Sequence, residues 1–384
     1  MAAADPARIL AAHLPPPPKG RTFVAAAGKA AASMAAAVEA HWQGSLEGIA
    51  ITRYGHGMPT KHIRVVEAGH PVPDEAGHNA AQEILHQVQR LGPGDLLLAL
   101  LSGGGSSLLS LPAPGVSMAQ LKKLTAELLK SGATIQEINT VRKHLSAIAG
   151  GRLAAASRAS VVALVISDVT GDEPTHIASG PCAADPTTID DAKATLEKYR
   201  LDFAGPFSES PKSVKATNTV VATAHRSLEA AAVVFAQQGI HPVILGDTVT
   251  GEAAEVAKVM AALVHEVKTY GTPWKPPVAL ISGGECTVTV AGEGGRGGRC
   301  AEFLLSLGIE TGGVWAIAAD TDGIDGTEDN AGAILALDSL KRGPDARALL
   351  GKHDSYGFFS ALGDLVVTGP TRTNVNDYRA ILIV

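Results

Sequence analysis

The run Ser102-Gly103-Gly104-Gly105-Ser106-Ser107 follows directly on the apolar stretch Leu96–Leu101. Six apolar residues in a row read as a strand buried on both faces, as in a parallel sheet. The three glycines let backbone N–H groups turn inward without Cβ obstruction, and the serines add hydroxyl donors. A helix starting there would add its positive end, so the loop suits phosphate or carboxylate oxygens. The competing reading is a tight strand–helix turn that holds no ligand.

Cationic groups for such an anion stand elsewhere. Lys29 follows Phe23-Val-Ala-Ala-Ala-Gly28 and precedes small residues. It is no Walker A loop, because Ala30 stands where Ser or Thr belongs. A lysine at a helix start opposes the dipole, so stability alone does not account for it. Arg296 and Arg299 alternate with glycines in Gly294-Gly-Arg-Gly-Gly-Arg299, where backbone can approach a ligand while a guanidinium forks onto two oxygens. Arg142 and Lys143 lie on a helix after Asn139, either facing a ligand or forming an ordinary polar face.

Carboxylates cluster twice, as Asp168, Asp172 and Glu173 and as Asp320, Asp322 and Asp325. Such groups repel unless a cation neutralises them, and Mg²⁺ takes one or two carboxylates together with water and phosphate oxygens. Asp168, Asp172, Asp320 and Asp322 are the candidate metal ligands. Solvated Asx turns are the plainer alternative. The pattern G-x-G-x-x-G at Gly292, Gly294 and Gly297 nominally suggests a dinucleotide site, but the preceding Thr287–Val290 alternates like an edge strand.

These groups must be positioned by strands and helices that alternate nearly throughout. Strands are expected at Thr22–Ala27, Gly48–Thr52, Arg64–Glu67, Leu96–Leu101, Ser160–Ile166, Val220–Thr223, Pro242–Leu245, Val278–Ile281, Thr287–Val290, Val314–Ala318 and Asp364–Thr368. Helices are expected at Lys29–His41, Asp74–Leu91, Met118–Ser131, Thr140–Ala155, Asp190–Tyr199, Arg226–Gln238, Gly251–Tyr270 and Arg299–Leu307. Short connections between them mean α/β units with parallel sheets and helices on both faces. Two domains suit a chain of 384 residues, and the Pro- and Gly-containing stretch Phe203–Ala216 is the best boundary. Ser102-Gly-Gly-Gly has an echo in Ser282-Gly-Gly-Glu285, as the loop after Ile166 has in the one after Ala319; the likeness reads as convergent loop chemistry. In open α/β sheets ligands sit beyond the carboxyl ends of strands, where all four loops fall.

Composition narrows the partners. Net charge is −6 with Lys and Arg scattered, so nothing favours nucleic acid or an anionic membrane. Three cysteines (Cys182, Cys286, Cys300) without C-x-x-C spacing argue for a reducing, cytoplasmic setting and against a zinc site. The N-terminus carries Asp5, Arg8 and His13 before four prolines, unlike a secretory segment, and no apolar run spans a bilayer.

Taken in order, Gly28-Lys29-Ala-Ala, Ser102-Gly-Gly-Gly-Ser-Ser107, Asn139-Thr-Val-Arg-Lys-His-Leu-Ser146, Ser167-Asp-Val-Thr-Gly-Asp172, Ile177-Ala-Ser-Gly-Pro181, Gly298-Arg-Cys-Ala-Glu302, Asp320-Thr-Asp-Gly-Ile-Asp-Gly326 and Thr368-Gly-Pro-Thr-Arg-Thr-Asn-Val-Asn-Asp377 cover almost the whole chain. Together they resemble the glycerate 2-kinases that carry a C-terminal MOFRL domain. The resemblance implies two α/β/α domains with mainly parallel sheets. A larger Rossmann-like N-terminal domain would span 1–215, a smaller MOFRL-type domain 216–384, and the active site the cleft between them. It implies ATP-dependent phosphorylation of D-glycerate to 2-phosphoglycerate, with ATP and Mg²⁺ as cofactors. By the same resemblance Lys29 and Arg299 are the catalytic residues and Asn374 binds substrate. Whether the chain works as a monomer or a homodimer is left open. Cys300-Ala301 departs from the family's usual Asn-Gln, and Arg372 stands where glycine is commoner. Rival readings are a hydroxypyruvate reductase using NAD(P)H and a non-catalytic sugar-acid binding protein.

Overall fold

A computed structural model of the chain describes residues 2–290, 292 and 294–384. It divides into two compact units, one formed by 2–222 and the other by 223–384.

The first unit is built on one parallel sheet. Its strands are β1 (Thr22–Ala27), β2 (Glu47–Arg53), β3 (Ile63–Ala68), β4 (Leu96–Leu101), β5 (Ser160–Ile166) and β6 (Thr217–Ala222). They lie in the order β3-β2-β1-β4-β5-β6 and every neighbouring pair is parallel. β1 and β4 are buried at every residue, which is why their sequences are unbroken apolar runs. Chain order reverses between them, so their carboxyl edge is the switch point at which such sheets bind ligands. Ile51, Ile84, Leu97 and Leu101 belong to the main core of this unit. A satellite core of Leu121, Leu128, Ile138 and Leu196 lies under the helices of residues 118–198.

The second unit holds β7 (His241–Gly246), β8 (Gly251–Glu252), β9 (Val278–Gly284), β10 (Cys286–Thr287), β11 (Trp315–Asp320), β12 (Gly332–Leu335), β13 (Leu365–Val366) and β14 (Asp377–Ile383). Six of these form a sheet ordered β13-β12-β11-β14-β9-β7. Along β9 the side chains alternate between two layers. Val278 and Leu280 join the core containing Phe303, while Ala279 and Ile281 meet Leu228 of the helix Ala224–Gln237. The unit is therefore α/β/α, but its sheet is mixed rather than mainly parallel. Only β7–β9 is parallel within it, because the closing strand β14 runs antiparallel to both β9 and β11.

Other boundaries move for local reasons. Thr217–Ala222 is the sixth strand of the first sheet, so the first unit continues past residue 215. The helix expected over Thr140–Ala155 is two pieces: Ile135–His144, which ends at Leu145, and Arg152–Ala155, which Gly151 precedes as its N-cap at φ +81°. Of the strand expected at Thr287–Val290, only Thr287 pairs, within the two-residue β10.

Candidate active site

In the first unit, the segments after β1 and β4 are stitched together at the switch point. Lys29 N–H donates to the Gly103 carbonyl at 2.8 Å, and Ser102 N–H to the Ala27 carbonyl at 3.0 Å. Ser102 Oγ accepts the Ala30 N–H at 3.0 Å. The helix begins at Ala31, so Lys29 lies in the loop before it rather than in its first turn. Gly104 has φ +80°, and a Cβ there would lie 2.9 Å from His70 Nε2 and 3.4 Å from Lys29 Cγ. The glycine thus leaves room for a lysine stem and an imidazole beside the loop. Among the described residues no protein group accepts the N–H of Gly103, Gly104 or Ser106. Ser102, Gly103, Gly105 and Ser107 are buried, while Gly104 and Ser106 are half-buried.

The same edge gathers the other first-unit motifs. Ser106 Oγ is 2.8 Å from Ser179 Oγ, whose hydroxyl donates to Asn139 Oδ1 at 3.1 Å. Ala178 and Ser179 hold left-handed backbone at φ +53° and +58°, a strain that ordinary loops avoid. Asp168 and Asp172 follow β5, the strand next to β4, and both are half-buried.

Arg142 and Lys143 part company. Arg142 is half-buried, its Nε 3.4 Å from Thr125 Oγ1, and burial pulls its pKa down to about 10. Lys143 has no exposed surface. Its ammonium donates to Thr175 Oγ1 at 2.8 Å and to Asp185 Oδ1 at 3.2 Å. Burial lowers its pKa against the pull of Asp185. The expectation that Lys143 binds substrate is therefore corrected: it is an interior ion pair beneath the loops, with no group facing a ligand.

In the second unit the loops at one edge of the sheet converge on Arg299. Asp320 ends β11 and is paired in register with Asp377, which opens β14. Asp377 is in turn in register with Gly284 of β9, one residue before Glu285. Arg299 Nε donates to Asp377 Oδ1 at 2.9 Å, Nη2 to Asp320 Oδ2 at 2.6 Å, and Nη1 lies 3.0 Å from Glu285 Oε1. Burial alone would weaken the guanidinium's charge, but Asp377, Asp320 and Glu285 outweigh it and hold the pKa above the ordinary value. Arg379, itself buried, clamps the other oxygen of Asp377 at 2.7 Å. Asn374 is buried in the Thr371–Asp377 loop, where its Oδ1 accepts the Asn376 N–H. That loop is tied to Asp322 and Thr321, for Thr371 N–H donates to the Asp322 carbonyl at 2.9 Å.

Arg299 opens the helix Arg299–Thr311, whose first N–H groups need acceptors. Asp325 supplies them, taking Cys300 N–H at 3.0 Å and Ala301 N–H at 2.9 Å. A Cβ at Gly298 would fall 2.3 Å from Asp325 Oδ1, which explains the glycine. Burial pushes the Asp325 carboxyl up to about 6. Cys300 and Ala301 turn into the core, so the family departure there changes packing.

The metal candidates divide. One Asp320 oxygen holds Arg299 and the other accepts the Asp322 N–H at 3.0 Å, while Asp322 Oδ1 accepts the Ile324 N–H at 2.9 Å. Among the described residues, no three His, Cys, Asp or Glu side chains gather as a metal-holding group. A Mg²⁺ that keeps its water and phosphate ligands needs only one or two carboxylates, and both acidic loops offer that many.

Asp377, Glu285, His70 and the Asn139–Ser179 pair were not singled out as site residues from sequence. Their signal was position alone: Asp377 closes the Thr-Asn-Val-Asn-Asp run, Glu285 closes Ser-Gly-Gly-Glu, and His70 follows β3. The G-x-G-x-x-G segment follows a two-residue strand, not the buried strand that a dinucleotide site requires.

Comparison with known proteins matches residues 1–217 to a family model described as a domain of unknown function, DUF4147, and residues 278–377 to the MOFRL family. A Thermotoga maritima protein named D-glycerate 2-kinase is 41% identical, covering 99% of this chain and 94% of its own. The crystal structure of glycerate kinase from that organism superposes with a TM-score of 0.89 at 40% identity, over 100% of this chain and 96% of the other. An Agrobacterium vitis protein that carries hydroxypyruvate reductase as a provisional name is 51% identical over 100% of this chain and 92% of its own.

Proposed function

Because the chain belongs to the glycerate 2-kinase family with a MOFRL domain, we propose that it phosphorylates D-glycerate at the 2-hydroxyl with ATP, giving 2-phosphoglycerate and ADP. The observation that carries this reading is the meeting of Lys29 with the Ser102–Ser107 loop at the switch point of a parallel sheet. That is where such sheets bind ligands, and the loop offers backbone donors beside a cation.

Phosphoryl transfer asks little covalent chemistry of a protein and much charge placement. In this reading Lys29 of the first unit and Arg299 of the second each supply positive charge for phosphoryl oxygens. The 2-hydroxyl oxygen forms a bond to phosphorus as the bond to the β–γ bridging oxygen breaks. ADP leaves, and the hydroxyl proton passes to a carboxylate of the Asp168–Asp172 loop. Backbone N–H groups of Ser102–Ser107 hold an anionic part of the substrates, with Arg142 and Asn374 as further binding groups. Whichever of Asp168 and Asp172 does not take that proton would hold Mg²⁺, which when bound screens phosphate charge.

The test couples ADP release to D-glycerate and identifies the product as the 2- or 3-phosphate. Glycerate-dependent ADP release with 2-phosphoglycerate as product supports the reading. NADH oxidation with hydroxypyruvate and no ADP release with glycerate would replace it by the reductase.

A further inference from the structure

The hydrogen bonds beneath the glycine loop have only one consistent direction. A backbone carbonyl can only accept, so the contact of Asn139 Nδ2 with the His176 carbonyl at 3.3 Å fixes which end of the amide is the donor. Asn139 Oδ1 therefore faces Ser179, and Ser179 must give it its single hydroxyl hydrogen, at 3.1 Å. Ser179 Oγ has no hydrogen left for Ser106, 2.8 Å away, so Ser106 donates to Ser179. Asn139 and Ser179 are buried and Ser106 is half-buried. The Ser106 hydroxyl thus turns its hydrogen inward and presents lone pairs outward.

Its neighbours do not share this orientation. Ser107 Oγ donates to the Gly104 carbonyl at 3.1 Å, and Ser102 Oγ accepts the Ala30 N–H. Both are buried, so Ser106 is the serine of this loop that can meet a ligand through its side chain. A lone pair repels a phosphate or carboxylate oxygen and attracts a hydroxyl hydrogen. Ser106 is then not the anion donor that the sequence alone led us to expect.

We infer that Ser106 Oγ accepts a hydrogen bond from a hydroxyl of the hydroxy-acid substrate, with Ser179 and Asn139 as positioning residues that fix its direction. The assignment rests on the proposed kinase reading and deepens it, since it gives the loop a means to read an alcohol beside a carboxylate. A site built to accept from a hydroxyl discriminates against acids that lack one.

The experiment compares wild type with Ser106→Ala, Ser106→Thr and Ser179→Ala. A net hydrogen bond of about 0.5–1.5 kcal/mol corresponds to roughly two- to tenfold in affinity. Ser106→Ala should raise the KM for D-glycerate by that factor, with the KM for ATP unchanged, and Ser106→Thr should restore it. Inhibition by propionate, which carries the carboxylate without a hydroxyl, should be unaffected by Ser106→Ala. Ser179→Ala frees the Ser106 hydrogen to point outward, so it should raise the KM for glycerate while tightening propionate. A merely structural role would weaken both. An unchanged glycerate KM in Ser106→Ala, or a rise in the ATP KM instead, overturns the assignment while the kinase reading stands. Wild type without glycerate-dependent ADP release overturns both.

Discussion

Asp377 receives Arg299 on both of its carboxylate oxygens, at 2.9 and 3.1 Å from Nε, and its Oδ2 also takes Arg379 Nη2 at 2.7 Å. Asp377 and Arg379 are buried, so the catalytic candidate is aimed from below by a carboxylate that is itself fixed. Asp320 grips the same guanidinium from a second side. The remaining partner, Glu285, is about half exposed, at 54% of its side-chain surface, and is the contact an incoming anion can most readily replace.

This arrangement predicts that Asp377→Asn lowers kcat sharply although Asp377 faces no solvent. Arg299→Lys should lose as much, because an ammonium cannot fork between two carboxylates and a phosphoryl group. Losing one preorganised donor costs on the order of 10²-fold in kcat. Steady-state ADP release measures it; a loss under tenfold in both variants would remove Arg299 from the reaction.

Lys143 is expected to matter for stability instead. Lys143→Met leaves the Asp185 carboxylate buried beside Thr187 and Ser210 without its cation. Breaking one side of a buried pair costs about 3–5 kcal/mol. Urea unfolding should show that loss, while KM values for ATP and glycerate of the folded protein stay within about twofold of wild type. A raised KM at unchanged stability would return Lys143 to the ligand-binding groups.

The contrast between Lys143 and Lys29 shows where the sequence runs out. β1, β4 and β5 were legible because strands buried on both faces are written as apolar runs, and the loops that follow them inherit their place at the carboxyl edge. β14 was not, since Arg379 interrupts its apolar pattern. Side-chain partners were harder still. Lys143 meets Asp185 across 42 residues and Arg299 meets Asp377 across 78, separations at which no local spacing rule operates. Hence the glycine loop and both cations could be picked out as candidates, whereas what each cation touches could not.

Removal of divalent ions with a chelator should abolish turnover and Mg²⁺ should restore it. Asp168→Asn is expected to raise the Mg²⁺ concentration for half-maximal rate by about tenfold or more. Asp322→Asn should leave it near wild type, because Asp322 Oδ1 already accepts the Ile324 N–H. Activity titrated against Mg²⁺ distinguishes the two loops, and the opposite ranking would move the metal to the second unit.

Asp325 is fully buried, and burial lifts its carboxyl from 3.8 to about 6 even though it accepts two backbone N–H groups. The folded pKa lies above the unfolded one, so between the two the native state binds more protons. Its contribution to stability is complete below pH ~4 and is lost as pH rises through ~6. A shift of about two units corresponds to roughly 3 kcal/mol between those limits. Other carboxylates, Glu137 and Glu209 among them, have lowered pKa values and push the opposite way at lower pH, so the difference between variants is the useful quantity. Asp325→Asn cannot ionise. The stability of wild type minus that of Asp325→Asn should therefore fall between pH 4 and 6 and level off above it, as read from denaturant unfolding at each pH. A difference that is flat across this range, or that rises, would mean Asp325 enters the folded state as a carboxylate stabilised by the helix Arg299–Thr311 it caps.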